Sequence, residues 1–155
     1  MTQGWLALSD VAATERVGAT LADRLQAGDV VTLSGPLGAG KSTLARAVLS
    51  RLGLMGEAPS PSFALVIAYA PPEVRLPLWH VDLYRLDDPA DVEELGLDDA
   101  RADAALLVEW PERAGSDPWP DALALSLHPL EDDARRLTWT APAAWEARWP
   151  PPARP

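Results

Sequence analysis

Apolar positions along this chain fall into two patterns, one typical of strands and one typical of helices. Short runs of aliphatic and aromatic residues, rich in branched side chains, predict strands. These runs are residues 5–8, 30–34, 63–69, 76–81, 104–108, 123–127 and 136–140. The Pro71-Pro72 turn predicts an antiparallel hairpin, since parallel strands need a longer crossover. The acidic turn at 131–133 predicts a second hairpin between the last two runs.

Apolar residues four positions apart predict two helices. Ser9 or Asp10 is placed to cap the first helix, and Gly28 and Gly53 are stop signals for the first and the second. The apolar stripes are Val17, Leu21 and Leu25 in one helix, and Leu44, Val48 and Leu52 in the other. Residues 87–97 form an acidic helical or turn segment. These elements predict one α/β domain with a mixed central sheet, flanking helices and antiparallel hairpins.

Length and composition narrow the class of protein. The 155 residues are enough for one domain, which we place at 1–148, followed by a proline-rich tail at 149–155 that is disordered or extended. The chain has no cysteine, no apolar run long enough to span a membrane and no secretory signal pattern, so we expect a cytoplasmic protein. A net charge of −10 argues against a large nucleic-acid surface.

The only lysine of the chain lies in its most specific motif. Residues 35–43 read Gly-Pro-Leu-Gly-Ala-Gly-Lys-Ser-Thr and fit the G-x-x-x-x-G-K-[ST] pattern of the phosphate-binding P-loop. A strand before the motif and a helix after it give it the expected context. Lys41 carries a compact charge that reaches between two phosphates, whereas arginine is a wide planar fork. The motif therefore predicts a P-loop NTPase-like fold in which Lys41 meets the β- and γ-phosphates, Ser42 meets Mg²⁺ and Thr43 meets the α-phosphate.

Two carboxylates follow apolar strands, where sites in α/β sheets are expected. Asp82 comes after the run that contains His80, and Glu109 follows residues 104–108. Either carboxylate is a candidate to hold Mg²⁺ or to orient water. Ser62 is a candidate switch hydroxyl, although on spacing alone a proline turn explains its segment better. His80 and Trp110 read as packed core residues on position alone.

Several blocks in this order resemble the TsaE family of bacterial ATPases that take part in tRNA threonylcarbamoyladenosine biosynthesis. The resemblance runs from about Leu8 to Leu137. The blocks that carry it are residues 35–43, Ser60-Pro61-Ser62-Phe63, His80-Val81-Asp82-Leu83-Tyr84-Arg85-Leu86, Glu93-Glu94-Leu95-Gly96-Leu97 and Val108-Glu109-Trp110-Pro111-Glu112-Arg113. The chain departs from the family at Ser62, where threonine is usual, and at Pro36, where Asp or Asn is common.

The resemblance implies a set of roles. Lys41, Asp82 and Glu109 would be catalytic, with Asp82 acting near the γ-phosphate, and Ser42 and Glu109 would hold Mg²⁺. The residues implied to contact ATP are Thr14, Gly38, Ala39, Gly40, Lys41, Ser42, Thr43, Trp110 and Arg136, with Arg135 as the alternative to Arg136. The implied partners are the TsaD and TsaB proteins, so that tRNA is met only indirectly.

Two other functions fit the P-loop itself. A small-molecule kinase would share it, but a kinase also needs an arginine-bearing lid, and the arginines here are scattered. A scaffold that binds nucleotide without hydrolysing it would not need two carboxylates at strand ends. We therefore expect an Mg²⁺-dependent ATPase that is weakly active without its partners.

Overall fold

A computed structural model describes residues 1–59, 61 and 65–150. In this part of the chain, seven strands form one mixed sheet in the order β1-β7-β6-β2-β5-β4-β3. The strands are β1 (Thr2–Leu8), β2 (Val30–Ser34), β3 (Val66–Tyr69), β4 (Leu78–Asp82), β5 (Ala105–Glu109), β6 (Leu123–Pro129) and β7 (Arg135–Ala141). The α-helices are α1 (Val11–Arg24), α2 (Lys41–Arg51) and α3 (Leu97–Ala100), and 3-10 helices cover Pro89–Leu95 and Pro111–Ala114. The predicted α/β class with a mixed sheet is confirmed.

The centre of the sheet is parallel and its flanks are antiparallel. Strand β2 pairs in parallel with β5 and β6, and β4 pairs in parallel with β5. Both predicted hairpins are confirmed, since β3 pairs antiparallel with β4 and β6 pairs antiparallel with β7. Strand β1 adds to the free edge of β7. All residues of β5 are buried, as its continuous apolar run predicts for a parallel strand covered on both faces.

Apolar side chains form a core on each face of the sheet because successive strand residues point to opposite sides. Leu107 of β5 packs with Leu44 and Val48 of α2, whereas its neighbour Leu106 packs on the other face with Leu97 of α3. Helices α1 and α2 thus cover the face to which Leu107 points. The odd-numbered residues of β5 and the even-numbered residues of β4 share this face. The terminal residues Asp82 of β4 and Glu109 of β5 are therefore on the same face of the sheet.

Helices α1 and α2 begin and pack as their sequences dictate. The Asp10 carboxylate caps α1 by accepting a hydrogen bond from the Ala13 N–H at 2.8 Å, which decides between the two predicted caps. The helices approach closely at Gly18, where an added Cβ would lie 2.6 Å from the Ala47 Cβ. Helix α1 ends at Arg24, before the predicted stop at Gly28.

Some predicted boundaries move. The described part of β3 begins at Val66 because Leu65 has a φ of 61°, which is incompatible with a strand; the predicted start at Phe63 lies outside the described residues. Trp149, which we assigned to the tail, is only 1% exposed and packs edge-on against Trp139, so this residue belongs to the core. The predicted domain boundary and tail stay predictions, since 151–155 also lie outside the described residues.

Candidate functional site

The glycine-rich loop joins the end of β2 to the start of α2 at the carboxyl edge of the parallel strands. Gly35, Gly38 and Gly40 have φ values of 142°, 79° and 104°, a region that favours glycine. At Gly35 the demand is also steric, because an added Cβ would lie 2.4 Å from the Leu127 carbonyl oxygen. The loop delivers the chain to the N-terminus of α2, where unpaired N–H groups and the helix dipole favour an anion.

A cavity of about 250 Å³ lies over this loop. Its walls come from the loop, from the ends of β4 and β5, and from the last hairpin. The lining residues are Leu37, Gly38, Ala39, Gly40, Lys41, Ser42, Thr43, Asp82, Glu109, Trp110 and Arg135. Most residues expected at the site are therefore brought together by the fold, although they are spread over a hundred positions of the sequence.

Lys41 is buried within the site and is held by neutral groups. Its Nζ donates hydrogen bonds to the carbonyl oxygens of Gly35 and Pro36, the latter at 3.1 Å, and lies 4.1 Å from the centre of the Trp110 ring. Burial lowers the pKa of the Lys41 ammonium below its ordinary value, and the nearby carboxylates of Glu109 and Asp82 oppose that shift. The contacts leave Lys41 close to the α2 N-terminus, poised to exchange carbonyl oxygens for anionic ones.

Asp82 and Glu109 are direct neighbours in the parallel pairing of β4 and β5. Both are buried, at 7% and 3% exposure, which is unusual for carboxylates. The Asp82 Oδ1 accepts a hydrogen bond from the Tyr84 N–H at 2.9 Å, which turns the chain sharply after β4. Two buried carboxylates at one sheet edge, facing a lysine, form the electrostatic centre of the site.

His80 contacts Glu109, which the sequence reading did not predict. Its Nε2 lies 2.8 Å from the Glu109 Oε2, and both side chains are buried. The signal was present in the sequence: His80 and Asp82 are two residues apart in an otherwise apolar strand, so they point to the same face of the sheet. His80 is packed, as expected, but its polar edge is directed at the site.

Trp110 lines the cavity directly after Glu109. Its backbone is left-handed, with φ 58° and ψ 50°, and its N–H donates to the Leu33 carbonyl at 3.2 Å. This conformation costs a residue with a Cβ about 1–2 kcal/mol, so the surrounding structure must hold it in place. The ring packs against Tyr84 with centroids 4.9 Å apart. Reading Trp110 as a core residue on position alone missed this placement, whereas the resemblance implied it.

The last hairpin supplies Arg135 and not Arg136 to the loop. Arg135 donates to the carbonyl oxygens of Ala39 at 2.8 Å and Gly38 at 3.2 Å, whereas Arg136 lies over the Trp5 ring, 4.4 Å from its centre. Adjacent strand residues point to opposite faces, so only one of the two arginines reaches the site. The structure therefore corrects the choice of Arg136 in favour of its neighbour.

Thr14 is not placed at this cavity, and Ser62 cannot be compared with it. Thr14 is buried in α1, at 2% exposure, and is absent from the cavity wall. The α1 residues that do line a cavity near Thr43 are Val11 and Glu15. Ser62 lies outside the described residues, so its role as a switch stays a prediction.

The fold and the site define a P-loop NTPase-like α/β domain. The crystal structure of Bacillus subtilis YdiB superposes with a TM-score of 0.76 at 29% identity, covering 90% of this chain and 86% of that one. The family model described as threonylcarbamoyl adenosine biosynthesis protein TsaE matches residues 8–137.

Curated relatives agree with the family model. Proteins named tRNA threonylcarbamoyladenosine biosynthesis protein TsaE from Streptomyces coelicolor and Bacillus subtilis are 39% and 36% identical to this chain. The first alignment covers 80% of this chain and 87% of the relative, and the second covers 74% and 70%. The chain belongs to the TsaE family of tRNA threonylcarbamoyladenosine biosynthesis. No helix in the described part of the chain is long and apolar enough to cross a membrane.

Proposed function

We propose that this protein binds and hydrolyses ATP as the nucleotide-dependent subunit of tRNA threonylcarbamoyladenosine synthesis. The observation that carries the proposal is one cavity lined by Lys41, Ser42, Asp82 and Glu109 at the head of a phosphate-binding loop. In phosphoryl transfer to water the protein does little covalent chemistry, so positioning and electrostatic stabilisation supply most of the catalysis. A lysine, a hydroxyl and two carboxylates are the side chains that bind phosphate, hold Mg²⁺ and orient water.

Phosphate binding follows from the loop and Lys41. The N–H groups of the loop and of the first turn of α2 would contact the phosphate oxygens, with the helix dipole adding to the attraction. Lys41 would exchange its hydrogen bonds with the Gly35 and Pro36 carbonyls for bonds to phosphate. The ammonium is attracted more strongly by the full negative charge of a phosphate than by a carbonyl dipole, so this exchange favours the bound nucleotide.

The donor set fits Mg²⁺. Ser42 supplies a hydroxyl, and Glu109 and Asp82 supply carboxylates on the same cavity, which are the hard oxygen ligands that Mg²⁺ prefers. Among the described residues no cluster of three His, Cys, Asp or Glu forms a complete metal cage. This agrees with Mg²⁺ because it binds through one or two carboxylates together with substrate phosphates. We assign Ser42 and Glu109 as its protein ligands; when bound, the ion would neutralise charge on the phosphates.

Asp82 is the residue we assign to the attacking water. An ionised carboxylate accepts hydrogen bonds and donates none, so Asp82 would orient a water molecule for in-line attack and take up its proton. The neighbouring Trp110 ring shields this end of the cavity and contacts the Lys41 ammonium. Exclusion of solvent strengthens each of these electrostatic contacts.

Family membership supports the choice of partners. We propose that this protein acts on the TsaD–TsaB complex and that ATP hydrolysis resets that complex between turnovers. The net charge of −10 agrees with an indirect role toward tRNA, because binding a phosphate backbone requires clustered lysine and arginine. We place the protein in the cytoplasm, with its partners.

The test combines calorimetry, turnover and association. Purified protein should bind ATP in the presence of Mg²⁺, hydrolyse it slowly, and do so faster with TsaD and TsaB, with which it should co-elute in gel filtration. A protein that neither binds ATP nor joins the pair would overturn the proposal. Formation of ADP that depends on a nucleoside or sugar acceptor would instead identify a kinase.

Two charge-neutral variants test the chemistry. Asp82→Asn should retain the fold but lose about 100-fold or more in turnover, the range for loss of a general base. Glu109→Gln should also retain the fold and lose turnover, because it replaces a proposed Mg²⁺ ligand by a neutral amide. Glu146→Gln, at an exposed carboxylate that is not part of the cavity wall, is the matched control and should retain full activity. Unchanged turnover in both site variants would show that neither carboxylate carries the chemistry, whereas a parent that binds ATP but releases no ADP would favour a non-hydrolysing scaffold.

A further inference from the structure

The polar edge of His80 is committed to Glu109 at the base of the site. The Nε2–Oε2 distance is 2.8 Å, and each side chain is only 4% exposed. His80 itself is not part of the cavity wall, whereas Glu109 is. The histidine therefore reaches the site only through the carboxylate, which excludes direct contact with a nucleotide bound in the cavity.

Hydrogen-bond chemistry fixes the direction of this contact. An ionised carboxylate is an acceptor only, so the hydrogen lies on the His80 Nε2 and is donated to Glu109. The other ring nitrogen, Nδ1, is buried and has no hydrogen-bond partner in the described part of the chain. A hydrogen at Nδ1 would thus be buried without an acceptor, and the tautomer with its hydrogen on Nε2 is the one that the surroundings favour.

The strand geometry makes the pair rigid. His80 lies opposite Leu107 in the pairing of β4 with β5, two residue pairs before Asp82 and Glu109. Each strand is hydrogen-bonded to a neighbour on both sides, β5 to β2 and β4, and β4 to β5 and β3, which restrains both backbones. A glutamate has three side-chain torsions, and a donor fixed on the neighbouring strand selects the rotamer in which Oε2 is held.

We propose that His80 is a positioning residue: by holding Oε2 of Glu109, it presents this carboxylate to the metal ion of a bound Mg²⁺–nucleotide. The inference rests on the proposed function, which assigns Glu109 as a ligand. Carboxylates that bind metals are themselves hydrogen-bonded, and loss of such a partner costs about 10- to 100-fold in metal affinity. His80 thus has a role at the site, although the sequence pattern alone indicated only a packed core residue.

The first experiment measures binding, not turnover. A non-hydrolysable ATP analogue is titrated into the protein by calorimetry, once with Mg²⁺ and once with EDTA, and the ratio of the two affinities is compared between variants. His80→Met removes the donor and should lower this ratio about 10-fold or more, with the affinity in EDTA nearly unchanged. His80→Gln matches methionine in length but retains an N–H donor, and should restore most of the ratio.

A third variant separates positioning from stability. Leu78→Ala opens a cavity in the same strand, on the same face as His80, and should lower the melting temperature without changing the Mg²⁺ ratio. A purely structural His80 would make His80→Met behave like Leu78→Ala. That result, or equal ratios in His80→Met and the parent, would overturn the inference.

A second measurement needs no substitution at His80. The chain has two histidines, and His128 is exposed on β6, so ¹⁵N-histidine NMR gives two resonance sets that a His128→Gln variant assigns. Adding Mg²⁺ to the analogue-bound parent should shift the His80 Nε2 signal and leave His128 unmoved. An unmoved His80 signal contradicts the inference while the proposed function stands. A parent that binds no nucleotide defeats the proposed function itself.

Discussion

The Lys41 ammonium lies 4.1 Å from the centre of the Trp110 ring and donates hydrogen bonds back to its own loop. The ring contact is worth about 0.5–2 kcal/mol, depending on how far the pair is removed from water. A phosphate offers full negative charge in place of carbonyl dipoles and so competes effectively for the same ammonium. In the proposed function, these are the contacts of Lys41 that a nucleotide would replace.

Lys41→Arg should lose most ATPase activity although the charge is retained. The planar guanidinium does not fit where Nζ lies between two carbonyl oxygens and the Trp110 ring, and we expect a loss of about tenfold or more, which corresponds to about 1.4 kcal/mol. The measurement is steady-state ADP release. Arg51→Lys, an exposed exchange on the same helix, is the control and should leave the rate unchanged. Parent-like turnover in Lys41→Arg would refute the geometric argument.

The stability contributed by Lys41 should depend on pH. Burial lowers the pKa of its ammonium below the ordinary value of 10.5, so the unfolded chain binds the proton more tightly than the folded one. Stability then rises with pH between the folded pKa and 10.5, because in this window the unfolded state carries more protons.

We therefore expect any stability advantage of Lys41→Met over the parent to be largest at neutral pH and to shrink as pH rises toward 10.5. Urea unfolding of both proteins over this range measures the difference, in which the titration of all other groups cancels. A difference that is constant with pH would show that burial does not disfavour the charged ammonium.

Arg135→Ala should weaken nucleotide binding, whereas Arg136→Ala should leave it unchanged. Arg135 donates to the Ala39 and Gly38 carbonyls and so fixes the loop in the shape that presents its N–H groups. Its loss removes charge-assisted hydrogen bonds of about 1.5–3 kcal/mol each, part of which appears as lost affinity. Calorimetric titration with ATP compares the adjacent pair, each of which loses one positive charge. Equal losses in both variants would point to net charge and not to the loop contact.

Trp149→Ala should strongly destabilise the domain. Its side chain is 1% exposed and packs edge-on against Trp139, so truncation leaves a large cavity that costs about 3–5 kcal/mol. Trp5→Ala, at a residue that is 57% exposed, is the matched control and should cost about 1 kcal/mol or less. The free energy of unfolding in urea measures both. A small effect at Trp149 would restore the boundary of the core to residue 148.

The elements of the fold followed from local sequence because their signals are local. The run that forms β2 is β-branched, Asp10 caps α1 with its own side chain, and the P-loop pattern specifies the turn from β2 into α2. Asp82 and Glu109 were recognisable as candidate site residues because each stands at the end of an apolar strand. The start of the described part of β3 differs from the prediction because of the backbone at Leu65, and the burial of Trp149 against Trp139 depends on packing that no local pattern indicates.

The sequence by itself determined the strand and helix pattern, the phosphate-binding loop around Lys41 and the two carboxylates beyond it, since each is written in consecutive residues. Only the tertiary structure decided which side chains meet. It selected Arg135 over Arg136, joined His80 to Glu109 and set Trp110 against Lys41. The physical reason is that strand order, pairing register and the alternation of faces arise from packing the whole sheet, and no local pattern encodes them.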